Sequence, residues 1–210
     1  MRIPLIALAA LLAACPAAND DDSSSNDDDA ADDDDAANDD DSTEPGALRT
    51  FMAAAHTGNL GGPTGADALC TSDANNPDAT ATWKAMIGGL SRIPCADPDC
   101  ASGTAGQADW VFAPDTEYLR PEGGTLFTTN SDGVFTAYPL GSNVMNSPQN
   151  FWTGLDSDWT VFAGEHCNDW NSDGVGVEGR VGWTESDSAT WIQGGSVECD
   201  GMQQFLCVEQ

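Results

Sequence analysis

Positive charge is what this chain has least of. Only six of its 210 residues are Lys or Arg, against 35 Asp or Glu, for a net charge of −29. Nucleic acids, heparin-like polyanions and anionic headgroups are therefore excluded as partners of the folded part. Histidine is nearly absent: His56 and His166 are the only two. Neither stands in a nucleophile–base–orienter pattern, and no phosphate loop, HExxH or nucleophile elbow occurs. The sequence reads as non-enzymatic. Long apolar runs are missing too. The most apolar stretch, Ile3 to Leu12, is broken by Pro4 and would span roughly 15 Å as a helix, half of a bilayer core.

That stretch follows Met1-Arg2 and ends in small residues, which is the layout of an export signal. Leu12-Ala13-Ala14-Cys15 resembles the bacterial lipobox, and the resemblance implies cleavage after Ala14 and lipidation of Cys15. Residues 1–14 are then a lipoprotein signal peptide. The membrane is a partner through the lipid, and the expected location is the bacterial cell envelope, at the outer membrane, facing the periplasm or the cell surface. Several acyl chains on one residue make a lasting anchor. Residues 16–46 contain thirteen Asp, Glu44 and no base. A self-repelling segment with nothing apolar to bury is expected to be a disordered tether, running from Cys15 to Gly46.

Residues 47–210 remain, enough for one domain. They hold 21 acids and five bases (Arg49, Lys84, Arg92, Arg120 and Arg180), a net charge of −16. All seven Trp lie here, with abundant Gly, Asn, Asp and Pro. So do six of the seven cysteines: Cys70, Cys95, Cys100, Cys167, Cys199 and Cys207. An even set in an exported chain points to disulfides rather than zinc, with fifteen possible connectivities. The expected class is α+β, with two short helices against loop-rich antiparallel sheets, stapled by disulfides.

Local patterns give the order of elements. Leu48–Ala53 reads as a strand. Thr64 or Asp67 caps a helix running to about Ala74, with Ala66, Leu69 and Cys70 inward. Trp83, Met86, Ile87 and Leu90 recur at helical spacing and predict a second helix from Thr80. Leu126–Thr129 and Val134–Tyr138 flank Asn130-Ser131-Asp132-Gly133, a hairpin signal. Short strands are expected at Phe151–Trp152, Trp159–Phe162, Gly179–Trp183, Trp191–Ile192 and Gln204–Val208.

Asp169-Trp170-Asn171-Ser172-Asp173-Gly174 matches the first half of a calcium loop, with oxygen ligands Asp169, Asn171 and Asp173. Position twelve is Arg180 where a bidentate Glu is required, so an Asn/Asp/Gly turn is the competing reading. No cofactor is required by any motif; calcium is the one candidate. Trp159 and Trp170 stand among Asp, Asn, Ser and Gly and are expected to be exposed, as ligand-contacting residues.

Several stretches together resemble one family. They are Gly58-Asn59-Leu60-Gly61-Gly62 with Gly65-Ala66-Asp67-Ala68-Leu69-Cys70; Trp83-Lys84-Ala85-Met86; Thr128-Thr129-Asn130 with Gly133-Val134-Phe135; Trp152-Thr153-Gly154-Leu155; Cys167 with Trp170; and Leu206-Cys207-Val208-Glu209-Gln210. In this order they are similar to the endostatin-like, C-type-lectin-like domains of bacterial lipoproteins, of DUF1554 type. The resemblance implies a C-type-lectin-like fold with Cys70–Cys207 and Cys167–Cys199 nested and Cys95–Cys100 as a local clip. It also implies a binding or adhesion module for a protein or matrix-type ligand, through the long-loop surface from Leu155 to Gly176. A calcium-assisted lectin for a glycan ligand is the alternative. The Glu-Pro-Asn, Gln-Pro-Asp and Trp-Asn-Asp motifs of sugar-binding C-type lectins are missing from residues 47–210. So is the histidine cluster with which animal endostatins hold zinc.

Overall fold

Four apolar residues in a row near the C-terminus, Phe205-Leu206-Cys207-Val208, dictate the architecture, because a strand without alternation must be covered on both faces. The computed structural model describes residues 46–145 and 147–210. The expected signal peptide, the lipidation at Cys15 and the acidic segment 16–45 lie outside the described residues. β1 (Leu48–Met52) leads to α1 (Gly62–Ser72) and β2 (Trp83–Ala85). Then come β3 (Glu117–Leu119), β4 (Thr125–Thr128), β5 (Asn150–Trp152), β6 (Glu178–Trp183), β7 (Gly195–Glu198) and β8 (Gln204–Glu209). The sheet order is β4-β3-β1-β8-β5-β6-β7, and β2 also pairs with β8. Most pairs are antiparallel, but β1/β3 and β5/β8 are parallel, so the sheet is mixed rather than antiparallel throughout.

β8 is central. It pairs β1 on one side, and on the other β5 along its first half and β2 along its second. Its residues alternate between two cores: Leu206 and Val208 face one, Phe205 and Cys207 the other. The first core is an aromatic cluster that includes Tyr118 of β3 and Phe127 of β4 with Phe112, Phe135, Trp159 and Trp191. α1 supplies Ala66 and Cys70 to the second, with Trp83, Trp152 and Trp170. The disulfides are Cys70–Cys207, Cys95–Cys100 and Cys167–Cys199, the pairs that the family resemblance implies. The first closes 137 residues, worth about 5 kcal/mol by chain-entropy arithmetic.

Several local expectations are corrected. Trp83–Leu90 is not a helix: Trp83, Ala85 and Ile87 enter one core while Met86 enters the other, a period of two. The edge of β8 wins over a spacing compatible with both periods. The hairpin is formed by β4 with the upstream β3, through a turn at Arg120–Gly124 whose Gly123 and Gly124 have φ of 89° and 83°. Asn130–Gly133 does turn, its Asn130 Oδ1 accepting from Asp132 and Val134 N–H, but Val134 and Phe135 go to the core instead of returning as a strand. Trp159–Phe162 makes only isolated bridges, and Trp191 ends a single 3-10 turn, Ala189–Trp191. α1 begins at Gly62-Pro63 without a side-chain cap; Asp67 lies inside it.

Candidate functional site

The segment expected to bind, residues 155–176, is built around a turn of unusual hand. Cys167, Asn168, Asp169 and Trp170 have φ of 49°, 53°, 58° and 61°. Trp170 N–H donates to His166 O at 2.8 Å and Asn171 N–H to Cys167 O at 3.0 Å. This is one turn of left-handed helix, a conformation costing roughly 1–2 kcal/mol per L-residue. His166 Nδ1 accepts from Asp169 N–H at 2.9 Å, and the Cys167–Cys199 disulfide ties the turn to the strand β7 connection.

The reversed hand sends Trp170 inward. It is fully buried, and its Nε1 donates to Gly88 O at 2.8 Å. Trp159, with φ 65°, is buried too, its Nε1 donating to Phe135 O at 2.7 Å. Neither is exposed, contrary to the expectation from their polar neighbours. Those neighbours serve the turns: Asp158 Oδ1 accepts from Thr160 N–H and hydroxyl. Asp169 turns its carboxylate to Ser91, accepting from the hydroxyl at 2.7 Å and from the N–H at 3.3 Å. The Asn171 amide donates to Asp169 O at 2.7 Å, and Asp173 is exposed. Among the described residues no group of three or more His, Cys, Asp or Glu side chains is placed to hold a metal ion.

What these contacts do hold is the turn Gly88–Arg92. Gly88 N–H donates to Thr153 O at 2.6 Å and Gly89 N–H to Arg92 O at 2.9 Å. A Cβ on Gly88 would overlap Leu155, and one on Gly89 would overlap Asp169 Oδ1, so the close approach requires glycine at both. Arg92 is fully buried and anchors the far side of the turn. Its guanidinium donates to Asp67 Oδ1 and Oδ2 at 2.8 and 2.7 Å, to Ala85 O at 2.8 Å and to Asp109. Burial disfavours its charge, but the bonds to Asp67 and Asp109 outweigh that and raise its pKa.

The clamped turn projects Leu90, 71% exposed, where sequence periodicity had placed it in a core. Leu90 stands over a groove of about 370 Å³ walled by Ile93, Cys95, Ala96, Thr160 and Val161. The wall segments carry Asp97, Asp99, Asp156, Asp158 and Asp169. Ser102, donating from its hydroxyl and N–H, keeps Asp97 below the usual carboxylate range and hence ionised. No base lines the groove, and Arg92 is buried in its own ion pairs. The site is an apolar projection beside an apolar floor, with acidic residues adjacent in sequence to its walls. Sequence reasoning had found its supports, Asp169 and Trp170, but not Leu90.

No helix among the described residues is long and apolar enough to cross a membrane. No curated protein matches the chain. A family model described as "Protein of unknown function (DUF1554)" matches residues 53–187, more than half of the chain, from α1 through β6 and including the left-handed turn. The chain belongs to the DUF1554 family.

Proposed function

We propose that this chain is a non-enzymatic binding or adhesion module of the bacterial envelope, with a C-type-lectin-like fold, anchored through lipid on Cys15 and held off the membrane by its acidic segment. The nested pairs Cys70–Cys207 and Cys167–Cys199 and the central C-terminal strand support that fold reading. Its ligand is a protein or matrix-type surface that docks on the Leu90 groove. One observation carries this: a turn fixed by buried hydrogen bonds holds a leucine 71% exposed. A large apolar side chain held rigidly in water loses little conformational entropy on binding, which is the property of an interface anchor. Charge complementarity specifies the partner further. A groove without a base, on segments rich in Asp, favours a partner segment that presents an apolar side chain flanked by Lys or Arg.

An array of extracellular-matrix and serum proteins, probed with the full chain and with its Leu90→Asp variant, tests the reading. The expected result is capture of a basic partner, lost at least tenfold in Leu90→Asp and weakened by salt. Undiminished capture by Leu90→Asp sinks the surface assignment.

A further inference from the structure

An exposed indole, that of Trp183, stands elsewhere on the sheet. Strand registers place it: Trp152 pairs Val181 on β6 and Phe205 on β8, a buried row across three strands. Two residues further along, side chains return to the same face. There Asn150 is opposite Trp183, and Gln203 precedes the Phe151–Gln204 pair. The core has ended at this row, and the three side chains line an open groove of about 410 Å³, with Pro148, Gln149 and Glu185.

The indole is held from behind. A Cβ on Gly194 would overlap Trp183 Cδ1 and reach Nε1 at 2.5 Å and Cγ at 2.8 Å, so the ring lies against bare backbone. Gly194 is itself fixed, its N–H donating to Val181 O at 2.7 Å. Trp183 nevertheless stays 44% exposed. The side chains of Gln149, Asn150, Glu185 and Gln203 make no hydrogen bond to another described residue; Gln149 and Gln203 are tied only through their backbones, to Thr184 and His56. That contrasts with the other loops, where Asn and Asp side chains are consumed by turns.

We infer that this shelf is a calcium-independent binding site for a neutral saccharide. The groove falls in the size range of small-ligand sites, ~300–1,000 Å³. A fixed indole offers a flat apolar face for the C–H side of a sugar ring. Three amides each donate and accept, matching hydroxyls that do both, and Glu185 accepts from a hydroxyl pair. No Lys or Arg lines the groove, so sialylated, sulfated or uronate-bearing chains meet only repulsion from Glu185 and the acidic domain.

The test is an array of neutral hexose and N-acetylhexosamine oligosaccharides beside sialylated and sulfated ones. It is probed with the full chain, with and without chelator, and with Trp183→Ala and Asn150→Ala/Gln203→Ala variants. Binding to neutral members, indifferent to chelator and weakened at least tenfold in both variants, is expected. No neutral binding, a preference for acidic glycans, loss in chelator, or full binding by Trp183→Ala overturns the inference. Acrylamide quenching of the unmutated chain guards against a misfolded variant: the bound oligosaccharide must shield the most accessible indole, and failure to do so also overturns it. Leu90→Asp leaves this binding intact, which separates it from the Leu90 groove.

Discussion

Arg92→Met tests whether the interior ion pair carries the weight that its geometry implies. The guanidinium is fully buried and grips both oxygens of Asp67, the Ala85 carbonyl and Asp109. Methionine fills comparable length but supplies no donor. Asp109 is 42% exposed and keeps Lys84, so its loss is small. Asp67 is only 20% exposed and retains one partner, Ala85 N–H at 2.8 Å. Removing one member of a buried pair costs about 3–5 kcal/mol, and the partial exposure of the acids puts this case near ~3. For a domain of this size that is a fall in Tm of roughly 6–12 °C. Lys84→Met, breaking the outer pair with Asp109, costs at most about 1 kcal/mol. Thermal and urea unfolding measure both. Adding Asp67→Asn to Arg92→Met removes the stranded charge and restores part of the loss, a coupling visible in the double-mutant cycle. If Arg92→Met costs no more than Lys84→Met, or Asp67→Asn makes it worse, the pair does not support the fold as argued.

Trp170→Phe keeps the aromatic bulk but strands Gly88 O, so stability drops by about 1–3 kcal/mol and hydrogen exchange of the Gly88 and Gly89 amides accelerates. Trp159→Phe costs a similar amount at Phe135 O and leaves those two amides protected. Gly154→Ala places a side chain at φ 67° and into Gly88 O, and is expected to cost ~2 kcal/mol or more in urea unfolding. Hydrogen bonding from Arg49 holds Glu209 below the usual carboxylate range, so its contribution is complete above about pH 4 and vanishes as pH falls through its lowered pKa. Glu209→Gln therefore lowers Tm at pH 7, and the gap from the parent narrows as pH falls below about 4; a gap that does not narrow contradicts the assignment.

Strands with an unbroken apolar run or a paired aromatic were legible in the sequence: β1, β5, β6 and β8 stand within one residue or so of where periodicity puts them. β3 and β7 were not, because Glu117-Tyr118-Leu119 and Gly195-Ser196-Val197-Glu198 carry too few apolar residues to signal a strand. Leu90 was misplaced with Met86 and Ile87 because four apolar residues fit a helix as well as a strand running into a turn. Trp159 and Trp170 were read from their neighbours, and Asp and Asn do mark loops. Those same residues tolerate left-handed backbone, which rotates the following side chain to the opposite side. Polar flanks therefore marked the turn correctly and its direction wrongly. Trp183, the last residue of the expected strand Gly179–Trp183, could not be told from core by its Val-Gly-Trp context, because only the register shows that the core stops one row earlier.

The left-handed turn itself calls for a cause. Four residues at positive φ cost together roughly 4–8 kcal/mol relative to ordinary backbone. The Cys167–Cys199 loop of 32 residues returns about 3–4 kcal/mol by chain entropy, and burying Trp170 returns about 2–3. These terms nearly cancel, so the turn contributes little to net stability. A right-handed turn of the same length would have avoided the strain while keeping the disulfide. What it would lose is the pair of contacts that reach the Leu90 turn: Trp170 Nε1 to Gly88 O and the Asp169 carboxylate to Ser91. The turn also packs Trp170 against Trp152 and accepts the Leu60 N–H on Trp170 O at 2.9 Å, so its strain is shared between the second core and the Leu90 turn, and it supports the proposal that Leu90 is an interface anchor only through the second of these.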